Sequence, residues 1–400
     1  MTVLSSWIKS VVIKMAEKKK QHYIPKFYLK RFALKDRKMY MYDITKDTLI
    51  FDGKPVPYKD QFYKNYYYGD DKLWENKLSE LENKWDISFS NIIDGNYNNS
   101  DIDNIKEFAI YQYGRTVFQL EQQTNSTAQI TYETLKMHLA NNNMGNTQAF
   151  DIANELSKKK AQETTHPAKL LDIFQKINDE VSDLTFKHII FDTKESFISS
   201  DNPIAIINPY VNNIGFGMIG LVIIFPMSSK DLCILYDKKI YTKITSIDEI
   251  CRNEYIIKKM NSLFYVNANS LIYSNKPFSK NLFKQVNKQM WIKNSERCNV
   301  SSFGTNKDKM VVVHWPSISF DKLPYFLMVD GKFTKISPEF RTPVPRKYDA
   351  GFERKLIEEY ITIPKILSNF KGEQINDEYI SNYETNHKNY YSLIMEYWDK

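Results

Sequence analysis

The 400-residue chain has no apolar run near the ~18–20 residues of a membrane-spanning helix; its longest, 219–226 (IGLVIIFP), has strand length. No transmembrane segment is expected. Cysteine is scarce: Cys233, Cys251 and Cys298 form no CxxC pair. An odd, widely spaced set argues against a disulfide framework and for reduced thiols in a cytoplasmic protein, packed as small hydrophobes. Walker A, HExxH and GxSxG patterns are missing, so no motif points to P-loop nucleotide chemistry, zinc proteolysis or nucleophile-elbow acyl transfer. The six histidines (22, 138, 166, 188, 314, 387) include no pair at metal-ligand spacing. No metal site is therefore expected, and no cofactor is indicated. The first residues lack the charged start and small-residue cleavage site of a secretory signal.

What is present suits a folded chain of two or three subdomains: 42% hydrophobic and 26% charged residues, with 27 Tyr and 24 Phe. Wholesale disorder is excluded. Charge is uneven. Residues 1–38 carry eleven Lys/Arg and two acids, whereas the whole chain is +7, so the body after residue 38 sums to −2. A near-neutral body thus follows a basic leading segment. Met15 opens the compact start MAEKKK and reads as an initiator, with 1–14 an upstream extension; the same residues also fit an amphipathic helix on a partner or membrane surface.

Hydrophobic periodicity predicts helices over 72–93, 100–118, 131–140, 149–160 and 167–181, with a β-hairpin over 38–52 and an irregular aromatic link over 58–71. Ser100 with Asp103 reads as a capping box. Short strands are expected at 185–192, 195–199, 204–207, 221–226 and 232–236. A helix capped by Ser246 and Glu249 follows, running to 262 or on to 273, and another covers 279–291. Residues 309–315, 325–329 and 333–336 read as strands, and a helical stretch begins near 352. Helices first and strands later predict an α+β fold. The expected organisation is a leader (1–20), a helical subdomain with an N-terminal hairpin (21–183), a β-rich subdomain with helices (184–345) and a C-terminal helical extension (346–400).

Residues 215–220 (GFGMIG) match G-x-G-x-x-G, but a β-rich run follows where a dinucleotide site needs a helix N-terminus; a glycine-bearing hairpin loop is the better account. Glu75-Asn76-Lys77 and Glu82-Asn83-Lys84 resemble the ExK half of a metal-nuclease motif, yet they fall on a helix rather than at strand ends.

Four features carry more. In 21–33 (QHYIPKFYLKRFA), Pro25 suits a helix start, and His22 precedes it beside Lys26, Lys30 and Arg31. This is either a packed amphipathic helix with a capping histidine or a His among cations suited to phosphate chemistry. In 197–208 (FISSDNPIAIIN), Asp201 and Asn202 interrupt an apolar run. They form either a turn or a carboxylate presented at a strand end. Arg115 sits late in an apolar helix, where an unpaired Arg would be costly, and Glu75 or Glu82 is a candidate partner. Lys276, Lys280, Lys284 and Lys288 form a ladder that is either a solvated face or a track for a phosphate backbone.

Taken together these features resemble the DUF4238 family. Its opening HY[VI]PxFYL[RK]xF motif is matched by His22-Tyr23-Ile24-Pro25-Lys26-Phe27-Tyr28-Leu29-Lys30-Arg31-Phe32. The resemblance continues through Phe62-Tyr63, Glu75 and Glu82, Arg115, Ser200-Asp201-Asn202-Pro203 and Phe225-Pro226-Met227-Ser228, spanning roughly 21–275. It implies a grouping and candidate positions but no reaction. The leading expectation is a phosphodiester-directed hydrolase, a nuclease in a bacterial defence or toxin-like role. His22 would move protons, Arg115 and Lys30 would meet phosphate, and Asp201 would orient the histidine or hold a metal. Arg31, Asn202, Glu75 and Glu82 would position substrate. The alternatives are a non-catalytic protein binding RNA or DNA through its basic leader and lysine ladder, and a scaffold protein with a buried polar network.

Overall fold

The computed structural model of the chain describes residues 20–70, 73–211, 215–246, 249–279, 291–293, 295, 298–303, 310–320, 323–337, 340–358 and 377–399. Residues 1–19 of the leader, residues 280–290 of the helix expected over 279–291, and with them Lys280, Lys284 and Lys288 of the ladder lie outside the described residues; Trp291, its expected last residue, begins a strand.

The first half is built from β1 (Lys20–His22), α1 (Lys26–Lys30), the hairpin β2 (Lys38–Asp43) and β3 (Thr48–Leu49), β4 (Val56–Pro57) and β5 (Tyr63–Asn65). Five helices follow: α2 (Leu73–Ile93), α3 (Asn99–Gly114), α4 (Val117–Asn141), α5 (Thr147–Thr164) and α6 (Pro167–Ile177). Helix α2 buries Trp74, Leu78, Trp85, Phe89 and Ile92 along one stripe. Helix α3 starts earlier than Ser100 and Asp103 predicted. Asn98 accepts the amides of Ser100 (2.8 Å) and Asp101 (3.3 Å), and the Asp101 carboxylate accepts the Asn98 amide (3.1 Å). Asparagine caps as well as serine, so the box closes at the first residue pair with the right spacing.

Nor does α3 run on to Phe118. It ends at Gly114, with Arg115 as C-cap, and Thr116 then caps α4 by accepting the Gln119 amide at 3.3 Å. A threonine whose hydroxyl bonds the next turn favours a new helix start over continuation. Helices α4 and α5 are longer than their periodicity suggested and form a hairpin, with Ala153 and Ala161 buried on α5.

The second half carries the main sheet, in order β11-β6-β10-β9-β8: β6 (Thr185–Phe191), β8 (Ala205–Ile207), β9 (Val222–Pro226), β10 (Asp231–Tyr236) and β11 (Ile250–Cys251). Pairings are antiparallel except β11 with β6. Every residue of β9 and β10 is buried, as their unbroken apolar runs require. With helices gathered first and mixed sheets after, the fold is α+β.

A second sheet, β3-β2-β12-β7, joins the early hairpin to β7 (Ser199–Ser200) and β12 (Leu271–Ser274). Here the helix expected from 246 to 262, or on to 273, is corrected at both ends. Ile250–Cys251 pair as a strand, Asn253 caps α7 (Glu254–Asn267), and the apolar 271–274 become β12. A four-residue apolar run has no helical period of its own, so pairing partners decide its state. Two smaller pairs are β13 (Trp291–Lys293) with β16 (Ile318–Phe320), and β14 (Asn299–Phe303) with β15 (Met310–His314). Tyr325–Leu327 and Phe333–Lys335 are 3-10 turns rather than strands. The loop 215–220 leads through Gly220 (φ +76°) into β9, so a strand rather than a helix follows it. Helix α8 (Asp377–Trp398) packs back onto the body, Tyr397 donating to Asp237 at 2.9 Å and Trp398 to the Pro345 carbonyl at 2.9 Å.

Helix α3 approaches α6 closely because Gly114 lacks a Cβ: one placed there would lie 2.2 Å from the Phe174 ring. Gly114→Ala should therefore cost about 1–3 kcal/mol of stability, the usual penalty of overpacking. Gly331→Ala, where nothing lies within 4 Å, should cost well under that in the same urea titration.

Candidate functional site

The opening motif folds as strand, turn and helix. Pro25, extended (φ −63°, ψ 144°), is the N-cap of α1, which buries Tyr28 and Leu29. The Tyr28 hydroxyl donates to the Pro226 carbonyl (2.7 Å) and meets Ser199 Oγ (3.2 Å), locking the motif to β9 and β7. His22 ends β1 opposite Tyr63 of β5. Its Nε2 lies 3.0 Å from the Lys59 carbonyl. A carbonyl can only accept, so Nε2 carries the proton and Nδ1 keeps a lone pair. Burial lowers the His22 pKa to about 4, opposed by the Lys59 carbonyl and reinforced by Lys26, Arg115 and Lys20. The imidazole is neutral at pH 7.

Arg115, 1% exposed, is the centre of the arrangement. Its Nη2 donates to the His22 carbonyl (2.6 Å) and to Glu82 Oε1 (2.8 Å), and its Nε donates to the Tyr68 hydroxyl (3.1 Å). The Tyr68 hydroxyl in turn donates to the His22 carbonyl at 3.2 Å. Burial alone would lower the guanidinium pKa; Tyr68 and Glu82 override it and raise it, so Arg115 stays charged.

Three buried polar atoms close to this network have no partner among the described residues: Arg115 Nη1, the Tyr67 hydroxyl and Gln112 Oε1. Gln112 is held by its own Nε2, which donates to the Tyr23 carbonyl at 3.1 Å. Arg115 acts electrostatically on the Tyr67 phenol, which burial pushes upward. The segment carrying Tyr67 and Tyr68 is fixed by Gln21, whose side chain accepts the Tyr68 amide (2.6 Å) and donates to the Gly69 carbonyl (3.0 Å). It is also strained: Phe62 (φ 55°) and Tyr66 (φ 52°) sit in the left-handed region, which bulky residues avoid. Such strain costs of order 1–3 kcal/mol each and persists where surroundings over-determine it, often at ligand sites.

The other expected site residues are placed as follows. Glu82 holds Arg115, while Glu75, half-buried in the first turn of α2, acts on the Tyr68 phenol from further off. Asp201 makes no contact with His22. Its Oδ1 accepts the Asn269 amide (2.9 Å), and its Oδ2 accepts those of Ser270 (2.8 Å) and Leu271 (3.1 Å). Burial still pushes its carboxyl up to about 6 against those amides. It reaches the site only through its field on the Tyr23 phenol, which Glu121 shares. Asn202 clasps the end of α7, donating to the Asn267 carbonyl (2.9 Å) and accepting the Asn267 side chain at its own carbonyl (2.6 Å). Arg31 binds Asp86 (2.5 Å) and Ser90 (3.1 Å) of α2. Lys30 is exposed on α1, and Lys276 donates to the Lys194 carbonyl.

Sequence reading did not single out Tyr23, Tyr67, Tyr68 or Gln112. The available signals were the Tyr66-Tyr67-Tyr68-Gly69 run in a link taken as irregular and a lone glutamine in the apolar stretch 108–113. Among the described residues no group of three or more His, Cys, Asp or Glu side chains converges on a metal position.

Residues 20–278 match the family model described as protein of unknown function DUF4238. No curated protein matches the chain, and no solved structure does.

The lowered pKa of His22 makes a stability prediction. A histidine whose folded pKa lies below its unfolded 6.5 contributes stability that is present above pH 6.5 and lost as pH falls through about 4. Between pH 7 and 4 the wild type should lose roughly 1–3 kcal/mol more than His22→Gln in urea unfolding. Equal losses would mean that His22 is not held neutral by burial.

Proposed function

The chain belongs to the DUF4238 family of unknown function, and from that premise we propose that it is a phosphodiester-directed hydrolase acting on a nucleic acid, with the substrate phosphate received at Arg115. The observation that carries this reading is the buried Nη1 of Arg115, which has no acceptor among the described residues. A buried donor without an acceptor costs about 1–3 kcal/mol, more when charged, and a phosphate oxygen is the acceptor that best matches a guanidinium. Because Nη1 is sealed from solvent, the phosphate reaches it only when the 66–69 turn swings aside. The Tyr67 hydroxyl supplies a second donor.

In this reading His22 is the proton-transfer group. Its Nδ1 takes a proton from the attacking water, while the leaving oxygen, on the far side of phosphorus, is protonated from solvent. The imidazolium then releases its proton to solvent, so the histidine returns to its starting state. At about 4 its pKa is low for a base. An arriving phosphate anion would raise it toward the operating pH. Glu82 balances Arg115 before substrate binds. The basic leader, with most of the excess positive charge, would draw a polyanion toward the body. Degradation of nucleic acid in bacterial defence or a toxin-like role is the setting such an activity would serve.

A second reading is favoured by a separate observation. Asp201, Asn202 and Arg31 are each tied to other parts of the protein, although Asn202 Oδ1 and Arg31 Nε, like Arg115 Nη1, are buried without a partner among the described residues. On that reading the polar set is a scaffold and Arg115 is its innermost clamp.

The deciding experiment incubates the protein with end-labelled RNA, single-stranded DNA and duplex DNA, in magnesium, manganese or chelator. His22→Gln and Tyr67→Phe are run beside it, both chosen to preserve packing. Cleavage is expected, falling at least about 100-fold in His22→Gln, the lower range for a lost general base. Tyr67→Phe should raise KM with an unchanged melting temperature. Cleavage that survives His22→Gln would remove His22 from the chemistry. Retarded bands without cleavage, vanishing as salt rises, would make this a binding protein, and neither result would leave the scaffold.

A further inference from the structure

Tyr113, two residues before Arg115, shares no hydrogen-bond or ring partner with it and lines a cavity that Arg115 does not reach. This cavity, of about 410 Å³, lies between the end of α3, α4, α6 and the glycine loop 215–220. Its apolar wall is mixed, with Leu170, Ile173 and Ile177 of helix α6 beside the rings of Tyr113, Phe174, Phe216 and Trp315. Tyr113 meets Phe174 (5.6 Å, 75°) and Phe216 (5.5 Å, 79°) edge to face, and Phe174 meets Phe216 likewise (6.1 Å, 83°). Gly114 allows this, since any side chain there would displace Phe174. Trp315, 40% exposed, stands on the lining as a further indole surface. Two amides complete it, Gln119 (5% exposed, bonded to the Tyr113 hydroxyl) and the half-buried Gln123. No Asp, Glu, Lys, Arg or His is among the described lining residues.

We propose that this cavity binds an uncharged planar heteroaromatic ring of the nucleobase class, with adenine its best fit. The size lies in the range of small-molecule sites, and the mix of aromatic walls with a few polar groups is the composition such sites share. A charged ligand would find no counter-charge. An aliphatic one would leave the Gln123 amide without use and forgo the stacking that aromatic walls offer a flat ring. A glutamine amide presents donor and acceptor side by side, which matches the N6 and N7 edge of adenine. The loop whose G-x-G-x-x-G spelling lacks a dinucleotide geometry thereby acquires a use: it sets Phe216 into the wall. The inference stands apart from the phosphodiester reading, because an unphosphorylated nucleoside has nothing to offer Arg115.

Adenosine is the probe, titrated into the full chain by calorimetry and by tryptophan fluorescence, with ribose as the control. Saturable binding is expected, together with a fluorescence change that Trp315→Phe abolishes and no response to ribose. Gln123→Leu, at an unchanged melting temperature, should weaken binding at least about tenfold, and Phe216→Ala should weaken it similarly through lost stacking. If Phe216→Ala unfolds, Gln123→Leu alone carries the test. No saturation by adenosine up to about 10 mM, a free energy too small for a specific site, would overturn the proposal. So would equal affinity in wild type and Gln123→Leu.

Discussion

Taking a guanidinium out of water costs several kcal/mol unless its donors are met, and Arg115 is all but fully buried. Three segments distant in sequence answer that demand: β1 through the His22 carbonyl, the 66–69 turn through the Tyr68 hydroxyl, and α2 through Glu82. None can shift without leaving a buried charge short of a partner. Arg115 sits at the C-cap of α3, where Thr116 starts the next helix, and from there its side chain meets all three. His22 is thus fixed by its own backbone and by its Nε2 on the Lys59 carbonyl, and Nδ1 is the ring nitrogen left for other work. The surplus donor, Nη1, is what remains once the fold has taken what it needs.

The motifs matched by the family fall into interlocking positions. Tyr28 from the opening motif reaches Pro226 and Ser199, on β9 and β7. Asp201 gathers the three amides of the turn before β12, and Asn202 ties that region to the end of α7. Since β12 pairs with β2 of the early hairpin, these staples hold the second half of the chain to the first. A carboxylate that accepts three backbone amides serves architecture first. Its influence on the site is electrostatic and indirect, through Tyr23.

Much of this was legible beforehand, for physical reasons. The stripe on α2 and the continuous apolar runs of β9 and β10 are strong periodic signals, and helices preceding strands were enough for the α+β class. Boundaries set by side-chain competition were less legible: Asn98 rather than Ser100 closes the box, and Thr116 divides one expected helix into two. β12 lies where a helix ending at 262 could also run on to 273, an ambiguity that only its partner β2, over two hundred residues away, resolves. Within the site, the sequence offered His22, Arg115 and Glu82 as polar residues in apolar surroundings. Tyr67 and Tyr68 stayed hidden because their placement depends on left-handed backbone at Phe62 and Tyr66, which aromatic residues do not advertise. That His22 and Asp201 would not touch is a three-dimensional fact that spacing could not carry.

The most direct test of the account observes the Arg115 guanidinium itself. Protein labelled with 15N-arginine, with the Arg115 side-chain signal assigned through Arg115→Lys, is titrated with a phosphorothioate dinucleotide that resists hydrolysis. The account predicts a saturable shift of that one signal, together with slowed solvent exchange of its protons as a phosphate oxygen takes Nη1. An Arg115 signal unmoved while the dinucleotide saturates the protein, or while it fails to bind at all, would contradict it and leave Arg115 a clamp within the fold.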